Sequence, residues 1–259
     1  MTKYAVRSGR TRAMQMETGI SLRLIVLILI ILAIGSGCRA SPKGERQQHQ
    51  SQEQIVPVGQ YISVDLGRRH VLLQGVTCLE SGWLEQVVCG VGSREHESLV
   101  VTSALGSELH AALLLSGFRP GSPGYWRHGP SDPNLIAVAP TGDLIEISLL
   151  WQDEQGQQQQ QVSSWIKQEQ GQPSDHKWVF AGSKMAPPPG QDSGAEFYYA
   201  DSSGSLVGLV TFGDEVVAHR AVVSDQVEVM APMWSVNEKA IPPVGTPVTV
   251  QFKPAVSNP

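Results

Sequence analysis

The chain is short of cysteine and of long apolar runs, and each shortage excludes a class of protein. Three cysteines in 259 residues are too few for a disulfide-rich scaffold or for an iron–sulfur site with four thiolate ligands. The apolar run at residues 24–34 has 11 residues, whereas a membrane-spanning helix needs about 20. The sequence also has no Gly-x-Ser-x-Gly nucleophile elbow and no Gly-x-Gly-x-x-Gly fingerprint. No cofactor is therefore predicted.

Positive charge is scarce outside the N-terminus. Residues 1–37 hold five of the 19 Lys and Arg residues and one of the 24 Asp and Glu residues, so the remainder has a formal charge of −9. Phosphate contacts need clustered Lys and Arg, which excludes nucleic acid as the expected partner. An anionic lipid surface would also repel this domain, so attachment to a membrane requires a covalent lipid or an anchor.

The N-terminus has the pattern of an export signal. Five basic residues precede or border the apolar run, and Gly35-Ser-Gly-Cys38 follows it directly. This order predicts a signal peptide over residues 1–37 and a lipidated Cys38, as in bacterial lipoproteins. An uncleaved N-terminal anchor and another type of export signal remain as alternatives. All three place the domain outside the cytoplasm, in the periplasm or on the outer face of the cell envelope, and the first two tether it to the membrane.

The rest of the chain divides into a tether and one domain. Residues 39–54 are polar and rich in Gln, without an apolar period, which is typical of a flexible tether. Residues 55–253 contain no linker-like stretch and have a length that suits a single domain.

Strand patterns predominate in that domain. Residues 144–151 and 248–253 alternate between apolar and polar side chains, which predicts strands with one buried face. A principal helix is predicted at about 103–116, with Thr102 or Ser103 as its cap and Gly117 after its end. We therefore expect an α+β fold, in which this helix packs on a mainly antiparallel sheet.

Two hairpins are predicted from local turn signals. Residues 71–78 and 84–91 flank a turn at 80–82, and residues 197–200 and 206–212 flank a turn at 201–205. In the first hairpin Cys78 and Cys89 would lie about 13 Å apart along the strands. A disulfide needs Cα atoms within about 7 Å, so two buried free thiols are expected.

Two further segments have simple local interpretations. The five glutamines at 157–161 show no apolar period, which indicates a solvated loop. A second, shorter helix is predicted at about 162–168.

A set of motifs gives the chain a family resemblance. They are Gly92-Ser-Arg-Glu-His-Glu-Ser98, Leu109-His-Ala-Ala-Leu113, Trp178-Val-Phe-Ala-Gly-Ser183, Tyr199-Ala-Asp201 with Gly204-Ser-Leu206, and Pro243-Val-Gly-Thr246. Together they resemble the YdjY-domain family of bacterial exported proteins over roughly residues 57–253. The resemblance implies a domain type, an exported location and no defined biochemical activity.

The densest group of reactive side chains consists of Arg94, Glu95, His96 and Glu97, with His110 on the following helix. Histidine and carboxylate ligands suit zinc, but the second histidine of a zincin motif is missing. In a strand, His96 and Glu97 would point to opposite faces and could not share a metal ion. An Arg–carboxylate network with a hydrogen-bonded histidine is therefore the expected arrangement, and no metal site is predicted.

Two functions follow from these observations. The first is an envelope lipoprotein whose domain binds a partner protein or a small ligand. The alternative is a metal-dependent or acid–base enzyme centred on His96, Glu97 and His110. Convergence of these three side chains in one pocket would favour the enzyme, and their dispersal would favour the binding module. The sequence leaves open whether the protein is an enzyme.

Overall fold

The computed structural model describes residues 54–128, 135–168, 177–187, 194–226 and 229–255. All of them belong to the compact unit formed by residues 51–259. The strands in these stretches are β1 (Ile55–Val58), β2 (Ile62–Asp65), β3 (His70–Thr77), β4 (Gln86–Gly90), β5 (Ser98–Thr102), β6 (Tyr125–His128), β7 (Leu135–Val138), β8 (Leu144–Asp153), β9 (Gly156–Gln161), β10 (Ile166–Gln168), β11 (Trp178–Phe180), β12 (Met185–Ala186), β13 (Phe197–Tyr198), β14 (Ser205–Gly208), β15 (Val217–His219), β16 (Trp234–Val236) and β17 (Pro247–Pro254). The α-helices are α1 (Gly106–Leu115) and α2 (Tyr199–Ser203), and Glu95–Glu97 and Val162–Trp165 form short 3-10 helices.

Eight strands close into a barrel. Their order is β3-β17-β8-β11-β15-β14-β4-β5, and β5 pairs with β3 to complete the ring. The β4–β5 and β14–β15 pairs are parallel, while the other pairs in the ring are antiparallel. Strands β1 and β2 extend the sheet beyond β3, and β9 pairs with β8. The pairs β6–β7, β10–β16 and β12–β13 lie outside this sheet.

The predicted α+β class is therefore wrong. The fold is mostly β, with 45% of the described residues in strands and 12% in helices. Alternating apolar residues reveal single strands but not which strands become neighbours. The ring closes because β5 forms hydrogen bonds on both edges, to β3 and to β4.

The two alternating strands were predicted correctly. Ile145, Ile147 and Leu149 of β8 are buried, and so are Val250 and Phe252 of β17. These two strands pair over seven positions, from Val248 opposite Trp151 to Pro254 opposite Ile145. Their inward side chains contribute to one continuous apolar core.

The predicted principal helix exists but begins later than expected. Thr102 is the last residue of β5, and its hydroxyl donates to Gln74 O at 2.7 Å instead of capping a helix. The helix starts at Gly106, where the Glu108 side chain accepts the Leu105 N–H at 3.0 Å. It ends as predicted before Gly117, whose φ of 81° favours glycine. In the described stretches, no helix has both the length and the apolar character to cross a membrane.

Both predicted hairpins are wrong. Strands β3 and β4 do not pair with each other, because they lie on opposite sides of β5. In the second region β13 pairs with β12, and the chain then forms α2 before β14 joins the barrel. Local turn residues thus mark where the chain bends but not where the next strand finds its partner.

Two other local predictions are also corrected. The five glutamines lie in β9, which pairs with β8 through the backbone from Gly156 opposite Asp153 to Gln161 opposite Ser148. The second helix reduces to the 3-10 turn Val162–Trp165, followed by β10. Backbone pairing to a long buried strand therefore overrides the low strand propensity of glutamine.

Candidate functional site

The predicted site residues occupy two different places. Arg94, Glu95, His96 and Glu97 lie at the 3-10 turn that precedes β5. His110 lies on α1 and lines a cavity whose wall includes none of the other four. Within the described part of the chain, no group of three or more His, Cys, Asp and Glu residues is placed to hold a metal ion.

The turn is organised by Glu97 and by a residue that the sequence did not indicate, Glu85. The carboxyl groups of Glu85 and Glu97 are hydrogen-bonded to each other. Burial, and then this contact with Glu97, raise the pKa of Glu85 to about 8, so the Glu85 carboxyl keeps its proton at neutral pH. The Arg94 guanidinium lies 3.6 Å from the centre of the Phe212 ring.

His96 is on the solvent side of this turn. Its side chain is 73% exposed, and its Nε2 lies 3.7 Å from Glu97 Oε1. Glu95 accepts the Gly92 N–H, and hydrogen bonds from its own backbone and from Gly92 lower its pKa. These contacts tie the turn to the end of β4.

The two cysteines adjoin this turn. Both are free thiols, as expected, but Cys78 is only half-buried. The distance argument behind that expectation was wrong, because the two thiols lie close enough to shift each other's pKa. Cys78 also donates to Ser98 O at 3.1 Å. The neighbouring Cys78 thiol, and then the nearby polar groups of Ser98 and Ser93, lower the pKa of Cys89 to about 7. The same contact with Cys89 raises the pKa of Cys78.

A cavity of about 390 Å³ lies beside His110. Its wall comes from one face of α1 and from the segment between β11 and β13. The lining residues are Ser107, His110, Ala111, Leu114, Gly182, Ser183, Lys184, Met185 and Tyr198. This wall is mainly apolar, with a few polar groups. Cavities of this size and character are typical of small-molecule sites.

His110 and Tyr198 form the polar part of the wall. His110 Nδ1 lies 2.9 Å from the Tyr198 hydroxyl, which donates to Gly182 O at 3.0 Å. Since the phenolic proton is used for Gly182, Nδ1 must carry a proton to donate to Tyr198. Nε2 is then left with a lone pair and can accept a hydrogen bond from a ligand.

Burial shifts both groups toward their neutral forms. It lowers the pKa of His110, whose ring also contacts the edge of Phe180 at 4.8 Å between ring centres. Burial, and then the Asp201 carboxylate, raise the pKa of Tyr198. At neutral pH the pair is therefore uncharged and suits a ligand that needs hydrogen bonds at this end.

The backbone below the cavity is held in an uncommon conformation. Gly182 and Ser183 both have positive φ, at 87° and 53°. For a residue with a side chain this costs about 1–2 kcal/mol. Ser183 is held there because its Oγ donates to Asp214 O at 2.5 Å and its N–H donates to Glu215 O at 2.9 Å. Such strain concentrates at functional sites, which favours this cavity as one.

A larger cavity exists, but its wall has fewer reactive side chains. It has a volume of about 700 Å³ and lies on the outer face of β3, β17 and β8. Its lining contains no Asp, Glu, His, Lys, Arg or Cys. We therefore take the smaller His110 cavity as the candidate site, because it alone of these two offers ionisable groups that converge.

Sequence reasoning missed Tyr198 and Gly182, which form the hydrogen-bond chain with His110, and Lys184, which lines the same cavity. They lie more than 70 residues away along the chain, so no local spacing could link them to it. The one available signal was the family motif that ends at Ser183, which was used for the resemblance and not for the site.

The fold and this site define a mixed β-barrel domain with a small ligand-sized cavity against its main helix. The family model of the YdjY domain matches residues 62–253. The chain therefore belongs to the YdjY-domain family, as its motifs indicated. Comparison with curated proteins and with solved structures gave no significant match.

Proposed function

We propose that this domain is a binding module whose small-molecule ligand occupies the His110 cavity. The observation that carries the proposal is the His110–Tyr198–Gly182 hydrogen-bond chain at the wall of an otherwise apolar cavity. Preformed apolar walls with a few fixed polar groups are what small-ligand sites have in common. The strained Gly182–Ser183 backbone supports the same location.

The alternative, an enzyme centred on His96, Glu97 and His110, has less support. His96 contacts Glu97 at an exposed turn, while His110 contacts Tyr198 and Phe180 beside the cavity. A shared reaction centre needs its groups within hydrogen-bond reach of one substrate. The dispersal of these side chains therefore favours binding over catalysis by this set.

We further propose that the domain acts at the cell envelope, tethered through lipid on Cys38. The support is the sequence itself: a basic start, an apolar run of signal length and small residues up to the cysteine. A binding module so placed would meet ligands of the periplasm or the cell surface.

The cavity is tested by filling it. Ala111 is exposed on α1 and lines the cavity, so Ala111→Trp places an indole in it. Leu115→Trp is the matched control, because Leu115 is 46% exposed on the same helix and does not line the cavity. In a thermal-shift screen of small molecules, ligands that raise the melting temperature of the wild type should act on the control and not on Ala111→Trp. Ligands that stabilise all three proteins equally would contradict the proposed location.

A further inference from the structure

We infer that the His110 cavity selects small apolar molecules that carry one carboxylate, and that Lys184 supplies the counter-charge. This inference rests on the proposed binding function and names the ligand class for the same cavity.

The charges of the wall favour an anion. Among the lining residues, Lys184 supplies the positive charge, because His110 is uncharged at neutral pH, and the lining contains no Asp or Glu. This contrasts with the formal charge of −9 outside residues 1–37. An ammonium in a wall without carboxylates attracts an anion even on a protein that is acidic as a whole.

Lys184 is positioned at the cavity by an aromatic ring. Its Nζ lies 4.7 Å from the centre of the Tyr199 ring, within the range of a cation–π contact. The structure pairs this ammonium with no carboxylate among the described residues, so its charge is available to a ligand. Lys184 is exposed, so an ion pair between its ammonium and a carboxylate would be screened by solvent.

The nearby acidic groups lie outside the cavity wall. Asp201 accepts the Ser107 N–H at 2.7 Å. Asp214 and Glu215 are buried behind Ser183, and Glu215 accepts the N–H groups of Phe212 and Gly213. None of the three carboxylates belongs to the cavity wall, so they weaken the local positive potential without contacting a ligand.

The apolar part of the ligand has a matching surface. Leu114 and Met185 line the cavity and are 47% and 54% exposed. Large apolar side chains exposed together around a cavity indicate a surface that a ligand covers. A molecule with a hydrocarbon body and one acidic end would cover these side chains and bring its carboxylate to Lys184.

The test compares two probes that differ only in the acidic end, 4-phenylbutyrate and 4-phenylbutan-1-ol. Binding to the full chain in detergent is measured by calorimetry at low salt, for the wild type and for Lys184→Gln. Lys167→Gln is the control, because Lys167 is exposed on β10 and lies outside the cavity. Uptake of each probe by detergent is the same for every variant, so it cancels when variants are compared with one probe.

We expect Lys184→Gln to raise the Kd of 4-phenylbutyrate about fivefold, which is the effect of losing an exposed ion pair. The same substitution should change the Kd of 4-phenylbutan-1-ol by less than about twofold. Lys167→Gln should change the Kd of neither probe. Raising the salt concentration should weaken the binding of 4-phenylbutyrate to the wild type, and it should weaken binding to Lys184→Gln much less.

Two results would overturn the inference. One is an equal effect of Lys184→Gln on both probes, and the other is the absence of 4-phenylbutyrate binding at millimolar concentrations. If the alcohol still binds and Ala111→Trp abolishes its binding, the cavity is a ligand site without selectivity for acids. If Ala111→Trp has no effect on any bound probe, the proposed site itself is wrong.

Discussion

The buried carboxyl of Glu215 gives the sharpest prediction for stability. Glu215 is 0% exposed, and one of its oxygens accepts the backbone N–H groups of Phe212 and Gly213. Its other oxygen is buried and has no hydrogen-bond partner in the structure. Burial raises the pKa of this group to about 7 from a usual value of 4.5. The folded protein therefore keeps a proton that the unfolded chain gives up at a lower pH.

The direction and the size of the pH effect on stability follow from proton linkage. Because the pKa is higher in the folded state, the contribution of Glu215 to stability is fully present below about pH 4.5. It is lost as the pH rises to about 7, and it stays constant at higher pH. The shift corresponds to about 3 kcal/mol of unfolding free energy.

Glu215→Gln tests this reasoning, because glutamine keeps the accepting oxygen and cannot ionise. Urea unfolding is followed by tryptophan fluorescence between pH 4.5 and 8. The free energy of unfolding of the wild type, relative to the variant, should fall by about 3 kcal/mol over this range. Glu154→Gln, at the exposed turn between β8 and β9, should show no such pH-dependent difference. A difference between wild type and Glu215→Gln that stays constant with pH would refute the argument.

Other predictions concern export, the thiols and the two site regions. Cys38→Ser should abolish incorporation of a lipid label and processing of the chain, and a wild type that keeps residues 1–37 without lipid would contradict this. Cys78 and Cys89 should both react with a thiol reagent after denaturation without reductant, and a count of zero would show that they form a disulfide. His96→Gln should change the unfolding free energy by less than about 0.5 kcal/mol, because that side chain is mostly exposed. Tyr198→Phe should cost about 1–2 kcal/mol, since it removes two hydrogen bonds of a half-buried group. Urea titrations measure the free energy of unfolding of both variants. Equal losses of this free energy for His96→Gln and Tyr198→Phe would contradict the difference in burial between the two side chains.

The residues around the candidate site show why the sequence could indicate only part of it. His110 was recognised as a candidate because it lies on the helix that follows the cluster of Arg94, Glu95, His96 and Glu97. Its partner Tyr198 is 88 residues away, and the contact exists only because α1 packs near the β12–β13 pair. Glu85 was missed for the same reason, since its hydrogen bond to Glu97 depends on β4 and β5 running parallel.

The sequence by itself determined those strands and helices in which buried side chains recur at a regular spacing. Strands β8 and β17 and helix α1 were predicted because burial of one face imposes alternation in a strand and a spacing of three to four residues in a helix. The family was likewise evident from the order of the motifs, and its model matches residues 62–253.

The tertiary structure alone decided which strands are neighbours, and with that the barrel, the strand formed by five glutamines and the cavity. Backbone hydrogen bonds between strands are nearly independent of side-chain identity, so one strand offers the same donors and acceptors to many partners. The choice between them is made when the whole apolar core is buried at once. That choice placed β5 between β3 and β4, and it brought His110, Gly182 and Tyr198 together from distant parts of the chain.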